Sequence, residues 1–388
     1  MRAFGIALTR ETLAIAFLLA AVPARAATPD AALFHFPGSA ALPIAASSAG
    51  VALADRWLGD LPFDNPAFAA PRGLEVSPTL VHVSRQDLRA ANRNYIETSV
   101  YLDGAGGWIA MPFGRGTVFV YGSQPVLRFD DNSYTRGTTA VDPANPPAMI
   151  RSQAEAREVR AGAGFSWGDS GLRAGVAGEW TRRDDRYQVI EESGSPLAGT
   201  LNTRFSGDGA GLQAGLHLGR DLAGPHPLTL GLGLRLLPAL SLSAHDTFEP
   251  LIPAVGDTLD YPVDRGSSWE GGVSARYGVN ATFAVTAAAG GHGTQSWRGL
   301  GVSARAGTMW SVGGAFHDPG DAWTLRFGYG QEAQPGAPEP RSGLFGLGLG
   351  WTSEGMRIDV GALRRSIRRD TSPTSYDDRL VASVGVAF

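Results

Sequence analysis

The chain has 388 residues, a formal net charge of −4 and an isoelectric point near 6.0, so it offers no basic surface for nucleic acid. It has no cysteine, which excludes disulfides and thiolate metal sites. Only 18% of the residues are charged, while 52 are Gly, 17 Phe and 9 Trp.

Residues 1–26 read as a secretory signal peptide: Arg2 and Arg10, an apolar run from Thr12 to Val22, then the small-x-small site Ala24-Arg25-Ala26. The run is too short to cross a bilayer as a helix, and no later stretch is long and uncharged enough to do so. An exported chain rich in Gly and aromatics, with no spanning helix, fits an all-β outer-membrane barrel of a diderm bacterium.

Residues 27–72 do not alternate and are rich in Ala, Pro and apolar side chains, among them Phe34, Phe36, Leu58 and Phe63. A free tail of this character is poorly solvated, so its simplest place is a hatch or plug inside a barrel lumen. A periplasmic cap or disordered leader is the other reading. Asp64-Asn65-Pro66-Ala67 closes this stretch, as a turn into the first strand or a hinge between plug and wall.

From about residue 73 to 388 a two-residue period recurs. Leu172, Ala174, Val176 and Trp180 alternate with Arg173, Gly175 and Glu179. Leu228, Leu230, Leu232 and Leu234 alternate with Thr229, Gly231, Gly233 and Arg235. Met356, Ile358 and Val360 alternate with Arg357, Asp359 and Gly361. An apolar face opposite a polar or small one suits lipid outside and a polar lumen inside. About fourteen strands are predicted in a transmembrane antiparallel β-barrel. Tight Gly-, Asn-, Asp- and Pro-containing turns, such as Gly114-Arg115-Gly116 and Gly278-Val279-Asn280, alternate with longer connections. The chain closes on Leu380, Ala382, Val384, Val386 and Phe388 on one face, an apolar last strand expected to be read by the barrel assembly machinery.

Within the third strand, Gly122, Ser123 and Pro125 predict a local break, because Pro cannot donate to a ladder. The break is either a gap in the wall or a β-bulge. The segment 244–266, with Phe248, Leu251 and Ile252, is unusually apolar for a loop; it forms a capture groove for a hydrophobic ligand or folds back on the rim. Arg182-Arg183-Asp184-Asp185-Arg186 reads as a solvated rim or lipopolysaccharide contact, and Asp130-Asp131-Asn132 as a turn.

These stretches resemble the FadL-type family of long-chain fatty acid and hydrocarbon outer-membrane transporters. The likeness rests on Ser48 to Asp55 with Asp64-Asn65-Pro66-Ala67, on Val118 to Pro125, on Tyr261-Pro262 with Gly272 to Tyr277, and on Trp323 to Tyr329. The resemblance implies a monomeric fourteen-stranded barrel, a hatch, and passive movement of hydrophobic molecules through a side opening. It implies no cofactor.

No His-x-x-x-His spacing, ordered Ser/His/acid set or nucleotide-binding glycine loop is present, so no catalytic or metal-ligating residue is assigned and an enzyme is not expected. His245-Asp246 and Asp184-Asp185 are the one set of acid–base groups that could meet at a rim. The alternatives in function are a structural or adhesive barrel and a general porin.

Overall fold

The computed structural model describes residues 65–68 and, with gaps at most connections, 74–387. The described residues hold nineteen strand segments in one antiparallel sheet that closes on itself. β1 (Glu75–Arg89) pairs in a single register with both β2 (Ile96–Asp103) and β3 (Gly106–Phe113), so these two form one stave. β4 (Gly116–Arg136), β5 (Ala148–Gly168), β6 (Leu172–Glu192) and β7 (Gly199–Asp221) follow as long neighbours. Four further staves have two segments each. They are β8 (Pro227–Leu237) with β9 (Leu240–Pro250), β10 (Asp257–Arg265) with β11 (Ser268–Gly278), β12 (Phe283–His292) with β13 (Gln295–Arg298), and β14 (Val302–Ala304) with β15 (Gly307–His317). β16 (Trp323–Ala333), β17 (Arg341–Ser353), β18 (Met356–Arg369) and β19 (Ser372–Ala387) complete the ring, and β19 pairs back onto β1 with Glu75 opposite Ala387. Counted by stave, the described wall is fourteen-stranded.

The tight turns lie at one end, here called lower. Gly114 (φ 59°) and Gly168 (φ 124°) take left-handed backbone there, which a side chain disfavours. In the lower half of the barrel, apolar side chains face outward and polar ones inward. Leu212, Leu216, Leu232, Leu234, Val273, Leu347 and Leu349 are exposed on the outer face, while Gln213, His217, Arg235, Ser274, Arg276 and Asp359 are buried inside. This is the arrangement that lipid outside and a polar lumen require. Phe113, Trp167, Tyr277, Phe316 and Trp323 ring the outer face near the lower end, and Trp180, Trp269, Trp310, Tyr329 and Phe345 ring it higher up. Two aromatic girdles bound a membrane band between them.

Above the upper girdle the polarity inverts. On β8, Leu232, Leu234 and Leu236 face outward; on β9, Leu240, Leu242 and Ala244 face inward, although all occupy even positions. A bulge between the two segments makes the switch. β7 pairs Leu212 with Leu236 and Ser206 with Ser243, so the β8–β9 stave carries one residue more than β7 between these points. One extra residue turns every later side chain to the other face. Paired residues share a face, so the neighbouring stave inverts too: Val273 and Tyr277 of β11 point out, whereas Val263 of β10 is buried inside.

Three expectations are corrected here. Of the segment 244–266 predicted as a loop, Ala244–Pro250 belongs to β9 and Asp257–Arg265 to β10, because inward burial supports strand where an outward-facing reading saw only an apolar loop. Asp130-Asp131-Asn132 is not a turn but lies within β4, paired to Ala154, Gln153 and Ser152. The run Arg182 to Arg186 is not uniformly solvated. Strand alternation buries Arg183 and Asp185 and leaves Arg186 exposed.

Candidate functional site

The short segment from Asn65 through the 3-10 turn Pro66–Phe68 lies against the wall, with Asn65, Pro66 and Ala67 buried. Asn65 Nδ2 donates to the carbonyls of Leu216 and Leu232, each at 3.0 Å, on adjacent staves. Its Oδ1 accepts from the Ala67 amide at 3.0 Å. Two wall glycines make this approach possible: a Cβ at Gly175 would overlap the Pro66 backbone, and one at Gly215 would overlap Asn65 Oδ1. Asn65, Pro66 and Ala67 are thus brought together on β6, β7 and β8. Asp64, Phe34, Phe36, Leu58 and Phe63 lie outside the described residues.

At the height of the upper girdle, beside Trp180 and Trp269, an ion-pair layer bridges the lumen. Glu158 on β5 is its hub. Its carboxylate accepts from Arg160 Nε (2.9 Å), from Arg265 (2.8 Å) and from Arg183 (3.4 Å). Arg160 also pairs with Glu270 at 2.8 Å, joining β5 to β11, four staves away. Glu270 takes a further contact from Arg235, whose Nε lies 3.3 Å from Glu179. Asp185 accepts from Arg183 Nε at 2.7 Å, and the Tyr121 hydroxyl donates to Glu179 at 2.7 Å. The layer therefore holds four arginines and four carboxylates, each at most 8% exposed. Pairing is what makes burial of so many charges tolerable.

Immediately above the layer sits a cluster of inward apolar side chains: Phe205, Leu240, Leu242, Ala244, Val263 and Trp297, with Tyr261 packed against it. The Arg183 guanidinium lies 5.1 Å from the Trp297 ring centroid, so the cluster and the layer are in contact. Below the layer, the lower lumen carries Arg276 beside His317 (3.2 Å), and Asp359 shared by Arg326 (2.8 Å) and Arg357 (2.6 Å).

The third feature is in the wall. β3 pairs with β4 from Phe113 opposite Gly116 up to Gly106 opposite Ser123. Beyond Ser123, β4 continues to Arg136 on the β5 side only; among the described residues no ladder joins it to β2. On the β5 side the register shifts between Ser123 and Val126, a bulge at Gln124-Pro125. Gly122, Ser123 and Pro125 therefore mark both a bulge and the start of a seam between two staves. Proline's missing donor accounts for the bulge.

Phe248 is half-buried on β9, opposite Asp257 and Leu201, while Leu251 and Ile252 lie outside the described residues. The acid–base groups do not converge. His245 Nδ1 meets Asp260 at 2.6 Å on the outer face, Asp246 is buried on the inner face, and Asp184 pairs with Arg204 outside. No group of His, Asp or Glu suited to a metal ion occurs among the described residues. The ion-pair layer escaped the sequence reading because its partners come from staves far apart in the chain. The only local signal was a charged residue recurring every second position at Glu158 and Arg160 and at Arg183 and Asp185.

No protein-family model matches the chain, and no curated protein matches it. Solved structures do. A Pseudomonas aeruginosa FadL homologue superposes with a TM-score of 0.65 at 13% identity, over 92% of this chain and 99% of that one. The chain has the fold of the FadL-type channels. The Ralstonia pickettii toluene transporter TbuX superposes at 0.59 with 12% identity, over 91% and 99%, and the P. putida toluene transporter TodX at 0.56 with 14%, over 85% and 94%. The FadL-type fold agrees with the predicted all-β transmembrane barrel.

Proposed function

We propose that this protein is an outer-membrane channel through which hydrophobic small molecules move passively, and that it is not an enzyme. The fold it shares with a FadL homologue and with toluene transporters supports the class of solute. The observation that carries the route is the seam above Ser123, which opens on the same side of the ion-pair layer as the apolar cluster. The seam begins at the height of the upper girdle, so an apolar solute leaving through it is delivered to the upper edge of the membrane band without crossing the buried charges of the layer. Residues 27–72 act as the hatch, tethered at Asn65, and its movement admits the solute. A general porin fits less well, since ion pairs and the Asn65 segment occupy the lumen that such a channel keeps open.

The chain lacks cysteine, so thiols can be placed without background. Cysteines at Leu102 and Leu127, joined by a short bifunctional thiol reagent, close the seam. Cellular uptake of toluene and hexadecane is expected to fall to the level of cells lacking the protein, and to remain normal before cross-linking. Undiminished uptake after complete cross-linking excludes the lateral route.

A further inference from the structure

We infer that the outer face of β6 and β7, just above the upper aromatic girdle, docks a phosphate-bearing lipid of the outer leaflet, lipopolysaccharide in a diderm bacterium. The inference rests on the reading of the protein as an outer-membrane barrel. Strand alternation puts Trp180, Arg182, Asp184 and Arg186 on the outer face of β6, and β7 sets Ala210, Asp208, Ser206 and Arg204 opposite them. At about 3.3 Å per residue and a tilt of roughly 40°, Arg182 stands about 5 Å above Trp180, and the Arg186–Arg204 pair about 15 Å above it. Girdle aromatics mark the headgroup level, so these arginines face the phosphorylated part of a lipid and not its chains.

The charges on this face do not satisfy one another. Arg186 and Arg204 are directly opposite, a like-charge pairing that weakens a sheet. Both turn to a single carboxylate: Asp184 lies 2.5 Å from Arg204 and 3.8 Å from Arg186, whose side chains are 51% and 61% exposed. Arg182 stands opposite Asp208, but that carboxylate accepts the Trp180 indole N–H at 3.0 Å, and Arg182 makes no ion pair among the described residues. In register, β5 adds one charge of each sign, Glu155 opposite Arg186 and Arg157 opposite Asp184. The buried layer behind this face balances its arginines with as many carboxylates; the outer face keeps a surplus of arginine. Exposed ion pairs contribute little, so exchanging Asp184 for a phosphate costs little. Guanidinium forks match phosphate oxygens, and Arg182, Arg186 and Arg204 offer three of them to one headgroup. Beyond β9 the outer face turns acidic, with Asp260 and Asp264 exposed on β10, which bounds the surface on that side.

The test compares two lipids that differ in phosphate alone. Full-length protein in detergent micelles is titrated with fluorescently labelled lipid A, the membrane anchor of lipopolysaccharide, in bisphosphorylated and dephosphorylated forms. The phosphorylated form is expected to bind at least tenfold more tightly. The triple variant Arg182→Gln, Arg186→Gln, Arg204→Gln is expected to lose that preference and to keep heat-dependent gel mobility. Arg182→Gln alone, which breaks no ion pair, is expected to lose part of it and serves if the triple variant does not fold. Arg298→Gln removes an exposed arginine at similar height on β13, opposite Asp264, and is expected to leave the preference unchanged. Equal binding of the two lipids by the unaltered protein, or a loss in Arg298→Gln as large as in the triple variant, overturns the inference and leaves the barrel reading intact. Failure of the full-length protein to insert into phospholipid vesicles overturns that reading itself.

Discussion

The membrane band and the part of the barrel above it use one wall with opposite polarity. In the band, even-numbered leucines of β8 face lipid and Arg235 faces the lumen. Eight residues further along the same stave, Leu242 and Ala244 face the interior, and Ser241 and His245 face outward. The sequence pattern is the same throughout; a single extra residue near Pro238-Ala239 changes what it means. The lower region is a membrane protein with a polar inside. The upper region is built like a soluble β-structure, with an apolar core resting on a paired ionic floor. Apolar periodicity therefore reports that a strand has two faces, and says nothing about which of them meets lipid.

Deleting Ala239 tests this contrast most severely. It removes the extra residue and turns Leu240 and Leu242 outward, at about 1.5–3 kcal/mol each. The upper staves are expected to lose protease resistance, while the band stays folded and keeps its heat-dependent gel mobility. Next in size, Glu158→Ala leaves buried arginines without their hub and costs about 3–5 kcal/mol in denaturant unfolding. In the band the expected cost has another origin: Leu232→Arg places charge in lipid, at roughly 2–4 kcal/mol. Smaller again, Asn65→Ala removes two hydrogen bonds to the wall, about 0.5–1.5 kcal/mol each, and should raise protease access to residues 27–64 without unfolding the barrel.

The smallest effect lies in a lower turn. Asp318 accepts hydrogen bonds from the backbone amides of Trp323 (2.5 Å) and Gly320 (3.2 Å), which hold its carboxyl below the usual aspartate range. A depressed carboxyl stabilises the fold above its unfolded pKa of about 3.9, and that contribution disappears as pH falls through the lower folded value. Asp318→Asn should lower stability slightly at neutral pH, leave it unchanged below the folded pKa, and so flatten the acid limb of the unfolding curve.

Much of the band was legible in the sequence. The fourteen staves, the outward leucines and the turns at Gly114 and Gly168 follow from period, turn chemistry and left-handed glycine. The sequence offered Asp64-Asn65-Pro66-Ala67 as a turn or a hinge; the bonds of Asn65 to the Leu216 and Leu232 carbonyls depend on two glycines whose role only packing reveals. The upper region was not legible. The segment 244–266 looked like an apolar loop because its strand residues point inward where outward was assumed. Arg183 looked solvated because two of its partners, Glu158 and Trp297, come from other staves, and Asp185 because it is buried with Arg183. Short-range patterns carry phase, and the bulge that resets the phase leaves no mark beyond one proline.

The two aromatic girdles set the membrane thickness the protein matches. Trp269 and Tyr277 stand eight residues apart on one stave. At about 3.3 Å per residue this is about 26 Å along the strand, and a tilt of roughly 40° reduces it to about 20 Å of slab. That is thinner than an average bilayer of about 30 Å and closer to the thin outer membrane of bacteria. Lipids with long chains would have to compress around this barrel, and short-chain lipids would not. Bilayer composition therefore becomes a variable of folding in vitro, with short-chain vesicles expected to give the faster insertion and the more stable barrel.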